Sequence, residues 1–483
     1  MQTGGGESLR EPETAWLGAP GRVFITPMHE DTIAAIATPL GEGGLAVIRV
    51  SGPQACTVAD LCFSPAGKSP VRPSAAGSHT LHYGHLVRQG RVIDEVLLAV
   101  MRAPRTFTRE DVVEISCHGG ILASKMVLDT VLASGARLAE PGEFTRRAFL
   151  NGRIDLAQAE AVADVIHSRT ELALRAANEQ LAGKLSARIR TVRDELMRAL
   201  AHVEAHIDFP EEDIGPETRD HLVSQINQAT HFIEGLLNTA SEGRVLRRGV
   251  RVAIIGRPNA GKSSLLNQLL GHERAIVSPI PGTTRDTVEE TANIRGLPMV
   301  FVDTAGLREG GDEIEAEGIR RSRRSYELAD LVVHVLDGSG LLNSADTRFL
   351  DEFAGKKRVV VRNKTDLGLR LELPPGFNCP LVDCSCVTGD GIERLKDGLK
   401  ALVWSGEIRM DMLEVMVNSR HEEALSRARL GCVRTVEALR AGETLELAAM
   451  DLRIAVNAIG EVVGQTATEY LLDVIFSQFC IGK

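Results

Sequence analysis

From residue 31 onward the chain alternates short apolar runs with polar turns. Residues 31–38 form one such run, closed by Pro39, and Gly41-Glu-Gly-Gly44 turns into a second at residues 45–50, which carries Arg49. Runs of this length bounded by turn residues predict strands, and residues 92–101 and 112–116 repeat the pattern. Residues 121–134 instead space their apolar positions as a helix does, and Gly135 supplies the stop. Strands mixed with helices predict a small α/β or α+β unit over residues 31–150.

The pattern then changes period. Residues 156–206 are rich in Ala and Leu, with Ala159, Val162, Val165 and Ile166 on one helical face. Pro210 and Glu211-Glu212-Asp213 end the stretch, and a further helix is expected at about 221–240. Helical spacing returns after residue 418, through Leu445, Ala448, Leu452, Val456, Ile459 and Val463. Between the two helical stretches lie strand-like runs. The expected organisation is therefore a multidomain α/β and all-α chain: a disordered extension at 1–30, an N-terminal domain at 31–150, a helical domain at 151–247 and 406–483, and an inserted nucleotide-binding domain at 248–405.

Composition narrows the class only a little. A chain of 483 residues is too long for one core, and about three domains are expected. It has no apolar run of the roughly 18 residues a membrane helix needs, and no charged-then-apolar leader, so a cytoplasmic protein without a membrane partner is expected. The eight cysteines are scattered, and Cys379…Cys384-Ser-Cys386 lacks a second pair at zinc spacing, so reduced thiols are expected. With a net charge of −10, a nucleic-acid partner must be met by a local patch, and no basic run in the sequence locates one.

Chemistry concentrates in Gly256-Arg-Pro-Asn-Ala-Gly-Lys-Ser-Ser264, which follows the apolar run 250–255 and leads into a helix. Strand, glycine loop with Gly-Lys-Ser, and helix make a P-loop, against which a chance turn carries little weight. Backbone N–H groups around Ala260, Gly261 and Ser264 would wrap phosphate oxygens, Lys262 would neutralise them, and the Ser263 hydroxyl would hold Mg²⁺. Base choice falls to Asn363-Lys364-Thr365-Asp366. A carboxylate there accepts from both the ring N–H and the amino group of guanine, and Ser385-Cys386 would offer a backbone N–H to the guanine oxygen. Gly282-Thr283-Thr284 supplies a second hydroxyl for Mg²⁺ through Thr284, and Asp303-Thr304-Ala305-Gly306 senses the γ-phosphate. The order is that of a Ras-like GTPase, with one departure. Leu307 stands where such proteins place a water-orienting glutamine, so hydrolysis is either slow or assisted otherwise. The acidic loop 309–315 offers carboxylates that either orient water or simply face solvent. Asn259 is either a turn residue or a ligand for a monovalent cation beside the phosphates.

Phe476-Ser-Gln-Phe-Cys480-Ile-Gly-Lys483, Pro141-Gly-Glu-Phe-Thr-Arg-Arg-Ala-Phe-Leu-Asn151 and Asp155-Leu-Ala-Gln-Ala-Glu160, together with the P-loop and Gly282-Thr-Thr-Arg-Asp286, resemble the MnmE (TrmE) family of tRNA-uridine-modifying GTPases from residue 31 to the end. The resemblance implies a GTPase activated by K⁺-dependent dimerisation of its nucleotide domains. It makes Asn259, Ser278, Ile280 and Thr283 candidate K⁺ ligands, assigns Pro279 and Pro281 to the same nucleotide segment, and gives Glu315 the role of orienting water through a bridging water. It also implies a folate-binding, dimerising N-terminal domain with Arg49, Glu114, Arg153 and Lys483 at the folate; Arg153 is commonly a lysine in the family. Cys480 matches a cysteine implicated in the modification chemistry. The partners implied are tRNA and MnmG, a flavoprotein carrying FAD and using NADH. With MnmG, the family adds an aminomethyl or carboxymethylaminomethyl group at C5 of the wobble uridine. The one-carbon unit comes from 5,10-methylene-tetrahydrofolate, for which 5-formyl-tetrahydrofolate is an analogue.

A competing class, a GTP-dependent switch for assembling a ribosomal or RNA particle, predicts the same nucleotide domain. It needs neither a folate pocket at Arg49 and Glu114 nor a terminal thiol and lysine at Cys480 and Lys483.

Overall fold

The structure, a computed structural model, describes residues 31–68, 70–209, 216–271, 289–302, 315–404 and 410–482; the side chains of 216–217, 315–319, 321 and 410–411 fall outside that set. The chain adopts the α/β plus helical multidomain fold expected from its pattern. In the first unit, strands β1 (Ile33–Ile36), β2 (Leu45–Ser51), β3 (Phe63–Pro65), β4 (Thr80–Arg88), β5 (Arg91–Met101), β6 (Val112–His118) and β7 (Arg137–Leu138) form a sheet in the order β3-β4-β5-β6-β2-β1-β7. Helices α1 (Ala55–Cys62) and α2 (Ile121–Ala133) cover one face. Alternation decides what each face holds. Ala46, Ile48 and Val50 of β2 enter the helix-covered core with Val113 and Ile115 of β6, which leaves Arg49 and Glu114 paired on the opposite face.

That opposite face is closed near β1 by α3 (Glu143–Leu150). Arg147 of α3 is 1% exposed, and its guanidinium donates to Asp31, Glu110 and Glu143. Arg137 shares Asp31 and Glu143. Burial by itself would raise the Glu143 carboxyl, but the bonds from Arg137 and Arg147 outweigh it and hold the group below its ordinary range. A charge this deep persists only with such partners.

The stretch 156–206 is not one helix but three, α4 (Leu156–His167), α5 (Glu171–Leu181) and α6 (Lys184–Asp208). The first break has no glycine or proline; instead the Thr170 hydroxyl accepts from the Ala173 N–H and starts a new helix. Gly183, in the left-handed region, makes the second. Helices α6 and α7 (Pro216–Leu237) then pack with Ser419–Ala441 and Leu445–Val462 around one apolar core, so segments far apart in sequence share a bundle. Asp155 caps α4 in a capping box with Gln158. One turn on, Glu160 accepts from Arg420 at 2.7 and 3.0 Å and from Asn418 at 2.9 Å, with His421 Nε2 2.8 Å away.

Helix α8 (Ala240–Arg248) leads through Gly249 directly into β8 (Val250–Ile255), the first strand of a second sheet. Its members are β9 (Glu290–Ile294), β10 (Leu297–Phe301), β11 (Leu331–Asp337), β12 (Lys357–Asn363) and β13 (Leu381–Asp383), in the order β13-β12-β11-β8-β10-β9 with only β9 antiparallel. Helix α9 (Lys262–Leu270) follows β8, and helices Glu315–Leu328, Ser344–Glu352 and Ile392–Val403 complete the unit. No helix among the described residues is long and apolar enough to cross a membrane.

One residue of this sheet is costly. His334 on β11 is fully buried, and neither ring nitrogen has a hydrogen-bond partner among the described residues. Burial, assisted by Arg358, pushes its pKa down to about 3. Below pH ~6.5 the unfolded chain takes up a proton that the folded imidazole refuses, so stability falls by ~1.4 kcal/mol per pH unit until about pH 3. His334→Leu should therefore flatten the acid limb of the unfolding profile, gaining about 2 kcal/mol on the wild type between pH ~6 and ~4.5. Thermal melts of both proteins across that range check it; parallel profiles would contradict it.

Candidate functional site

Brought to the carboxyl ends of β8 and β12, two loops meet where open parallel sheets bind ligands. The P-loop residues Asn259 and Gly261 have φ of 61° and 96°. At Gly261 a Cβ would lie 2.0 Å from Asn363 Nδ2, so glycine is required for the two loops to close on each other. Asn363, 2% exposed, donates to the Ala260 carbonyl at 3.0 Å and ties the base-reading loop to the phosphate-binding loop. Lys262 Nζ donates to the Arg257 carbonyl at 2.9 Å, and Arg257 itself pairs with Asp346 at 2.5 Å. Asn259, Ser263 and Ser264 are exposed at the mouth of the loop, Ala260 is buried beneath it, and Ser263 lies in the first turn of α9.

The guanine-reading element is held in detail. Lys364 sits at φ 64° and reaches Asp337 at 2.6 Å, while Thr365 donates its N–H to the Cys384 carbonyl. Asp366 is exposed, and one of its oxygens accepts from the buried Ser385 hydroxyl at 2.6 Å, which aims the carboxylate. The sequence offers Ser385-Cys386 as the source of a backbone N–H toward the base. The Ser385 N–H donates to the Asp390 carbonyl, and its hydroxyl holds the Asp366 carboxylate. The Cys386 N–H in turn donates to the Asn363 side-chain oxygen at 3.3 Å. An exposed, oriented carboxylate fits guanine, whose ring N–H and amino group can donate to it. The loop fits phosphate and Ser263 a hard divalent cation. Ser278, Pro279, Ile280, Pro281, Gly282, Thr283, Thr284, Asp303, Thr304, Ala305, Gly306 and Leu307 lie outside the described residues. Glu315 begins the helix Glu315–Leu328, but its side chain is not among those described.

A second set of residues meets far from this loop, on the open face of the first sheet. Arg49 and Glu114 are cross-strand neighbours paired at 2.8 Å. Arg49 also donates to the Gly482 carbonyl at 3.4 Å and lies over the Phe144 ring, 5.7 Å from its centre. Arg153 lies 5.8 Å over Phe107, which packs in the same apolar cluster as Phe144. Two guanidinium groups thus stand above one aromatic floor. That floor went unnoticed in the sequence, although Phe144 lies inside the Pro141–Asn151 motif. The chain's end is seated here: a Cβ at Gly482 would be 2.4 Å from the Ile36 carbonyl, and Gly142 donates to the Cys480 carbonyl at 3.4 Å. Cys480 is exposed at this seat rather than buried. Lys483, three residues on, lies outside the described residues.

The sheet order, the phosphate loop and the aimed Asp366 define a P-loop GTPase domain, carried here on a helical bundle beside a separate mixed α/β unit. Residues 32–153 match the family described as GTP-binding protein TrmE N-terminus, and residues 156–480 match the MnmE helical domain. The chain is 46% identical over 463 residues to the tRNA modification GTPase MnmE of Bacillus velezensis, covering 94% of this chain and all of that protein. Proteins of the same name from Geobacillus kaustophilus and Geobacter sulfurreducens are 47% and 48% identical, over 94% of this chain and 99% of each. The chain belongs to the MnmE (TrmE) family of tRNA modification GTPases.

Asp366→Asn tests the base site directly. An amide presents a donor where guanine needs an acceptor, so affinity for guanine nucleotides should fall about 100-fold or more while xanthine nucleotides gain. Titration with fluorescent GDP, and its displacement by xanthosine diphosphate, measures both, and unchanged GDP affinity would contradict the assignment.

Proposed function

We propose that the chain is a K⁺-dependent GTPase that, with the flavoprotein MnmG, adds an aminomethyl or carboxymethylaminomethyl group to C5 of the tRNA wobble uridine. The observation that carries the reading is the presence in one chain of two built sites: the guanine and phosphate loops joined through Asn363, and the Arg49–Glu114 pair beneath a seated tail bearing Cys480. An assembly switch has no use for the second.

In this reading Asp366 selects guanine, Lys262 neutralises phosphate charge, and Ser263 with Thr284 would hold Mg²⁺. Asn259, Ser278, Ile280 and Thr283 would hold K⁺, which supplies positive charge beside the phosphates in place of an arginine finger. Glu315 orients the attacking water, the work that Leu307 cannot do. Arg49, Glu114, Arg153 and Lys483 would hold the methylene-tetrahydrofolate that supplies the one-carbon unit, with the pterin or its glutamate carboxylates over the Phe144 and Phe107 floor. Cys480 stands at the same seat as the candidate nucleophile. FAD and NADH belong to the partner, and the assembly is a homodimer joined by MnmG in the cytoplasm.

Titration with 5-formyl-tetrahydrofolate tests the second site. Saturable binding is expected, weakened at least 10-fold in Arg49→Ala because a charge-assisted contact is lost; no binding at high micromolar concentration would sink the one-carbon role. For the first site, GTP turnover in K⁺ should exceed that in Na⁺ at equal ionic strength, and Asn259→Ala should abolish the difference. Glu315→Ala should lower kcat with little change in GTP affinity.

A further inference from the structure

At the end of the nucleotide sheet opposite the phosphate loop, a cleft of about 690 Å³ separates that sheet from the helical bundle. Its floor is the amino ends of β8, β11 and β12, and its wall is α8 with the turn between α4 and α5. Five cations line it, Arg169, Arg244, Arg248, Arg251 and Lys357, against two carboxylates, Glu289 and Asp330. Both carboxylates are engaged by one residue: Glu289 accepts from the Arg251 side chain at 2.7 Å and Asp330 from its backbone N–H at 2.9 Å. The outer cations are held loosely. Arg248 is exposed with no side-chain hydrogen bond or ion pair among the described residues, Lys357 reaches only the Leu402 carbonyl at 3.3 Å, and Arg244 stands 3.7 Å from Glu422.

We propose that this cleft is the docking site for the phosphodiester backbone of a structured RNA, a step that rests on the tRNA reading above. In a chain of net charge −10, a surplus of cations gathered from four separate segments is a concentrated local field. The volume suits one or two nucleotides. No aromatic side chain is among the residues lining the cleft, so it offers charge to phosphates and no platform for unstacked bases. The cleft also spans the joint at which α8 becomes β8, so one bound strand touches the bundle through Arg244 and Arg248 and the nucleotide sheet through Arg251 and Lys357. RNA held there senses the orientation of the GTPase domain relative to the bundle.

The test uses the full-length protein and fluorescein-labelled tRNA transcript in anisotropy titrations between about 50 and 200 mM salt. The double variant R248A/K357A should bind about 10-fold more weakly, and the slope of log affinity against log salt should shrink by about two, one per lost phosphate contact. R248K/K357R should restore most of both. R434A/R440A, at the far end of the helix Ser419–Ala441, should change neither, and intrinsic GTP turnover should be unchanged in all variants. Unchanged RNA affinity and slope in R248A/K357A overturns the docking site. Equal loss in the R434A/R440A control also overturns it, and so does loss of flavoprotein binding with RNA binding intact. Failure of the wild-type protein with its partner to modify wobble uridine would instead refute the functional reading, while the titrations still decide the cleft.

Discussion

Helix α4 carries two carboxylates one turn apart, and the arrangement of the whole chain hangs on what each one holds. Glu160 binds Arg420 and Asn418, at the start of the helical segment that returns after the GTPase domain. Asp164 binds Arg247 at 2.6 Å, at the end of the helix that leads into that domain. One helix therefore clamps both the departure and the return of the chain, and the insertion can be long without splitting the bundle. Both groups are partly shielded from water, Glu160 more than Asp164, and they respond differently. Burial raises the Asp164 carboxyl, and Arg247 only partly offsets this. For Glu160, burial is outweighed by Arg420 and His421, and the carboxyl is held far below its usual range. Breaking the largely buried Glu160 cluster from one side costs about 3–5 kcal/mol, so the junction at Asn418 and Arg420 is firmly held on the scale of domain stability.

Rigidity at the junctions matters because the two candidate sites lie on different units. The nucleotide loops are coupled to one another at close range, since Asn363 fills the space that Gly261 leaves open. The second site is built by the chain's own end: the helix Glu469–Phe476 packs against α4, and Phe479 and Gly482 then carry the tail onto β1 and the Arg49–Glu114 pair. Because α4 also grips α8, a continuous run of packed elements, α8 and α4, connects the GTPase domain to the helix that positions the tail.

The Pro141–Asn151 and Asp155–Glu160 motifs acquire physical meaning in this frame. Glu143 and Arg147 bury an ion network that fixes α3 to the first sheet, Phe144 forms the floor under Arg49, and Asp155 caps α4 and also accepts from Ser186 and Arg190. These residues hold surfaces in register, and several serve the candidate site only by positioning others.

How much of this was legible in the residues follows from the range of each interaction. The P-loop, the Asn-Lys-Thr-Asp loop and the change from strand to helical spacing are local, because backbone geometry and phosphate chemistry demand particular residue types at fixed short spacings. Hence the GTPase class and the multidomain α/β and helical fold were readable from the sequence alone. The break before α5 was not, because Thr170 starts a helix by capping and leaves no glycine or proline as a mark. Nor was the aim of Asp366 by Ser385, nor the basic cleft, whose five cations come from positions 169 to 357 and leave no charge run in the chain. These are contacts between segments many residues apart, and only the packing of the bundle against the sheet decides which side chains meet.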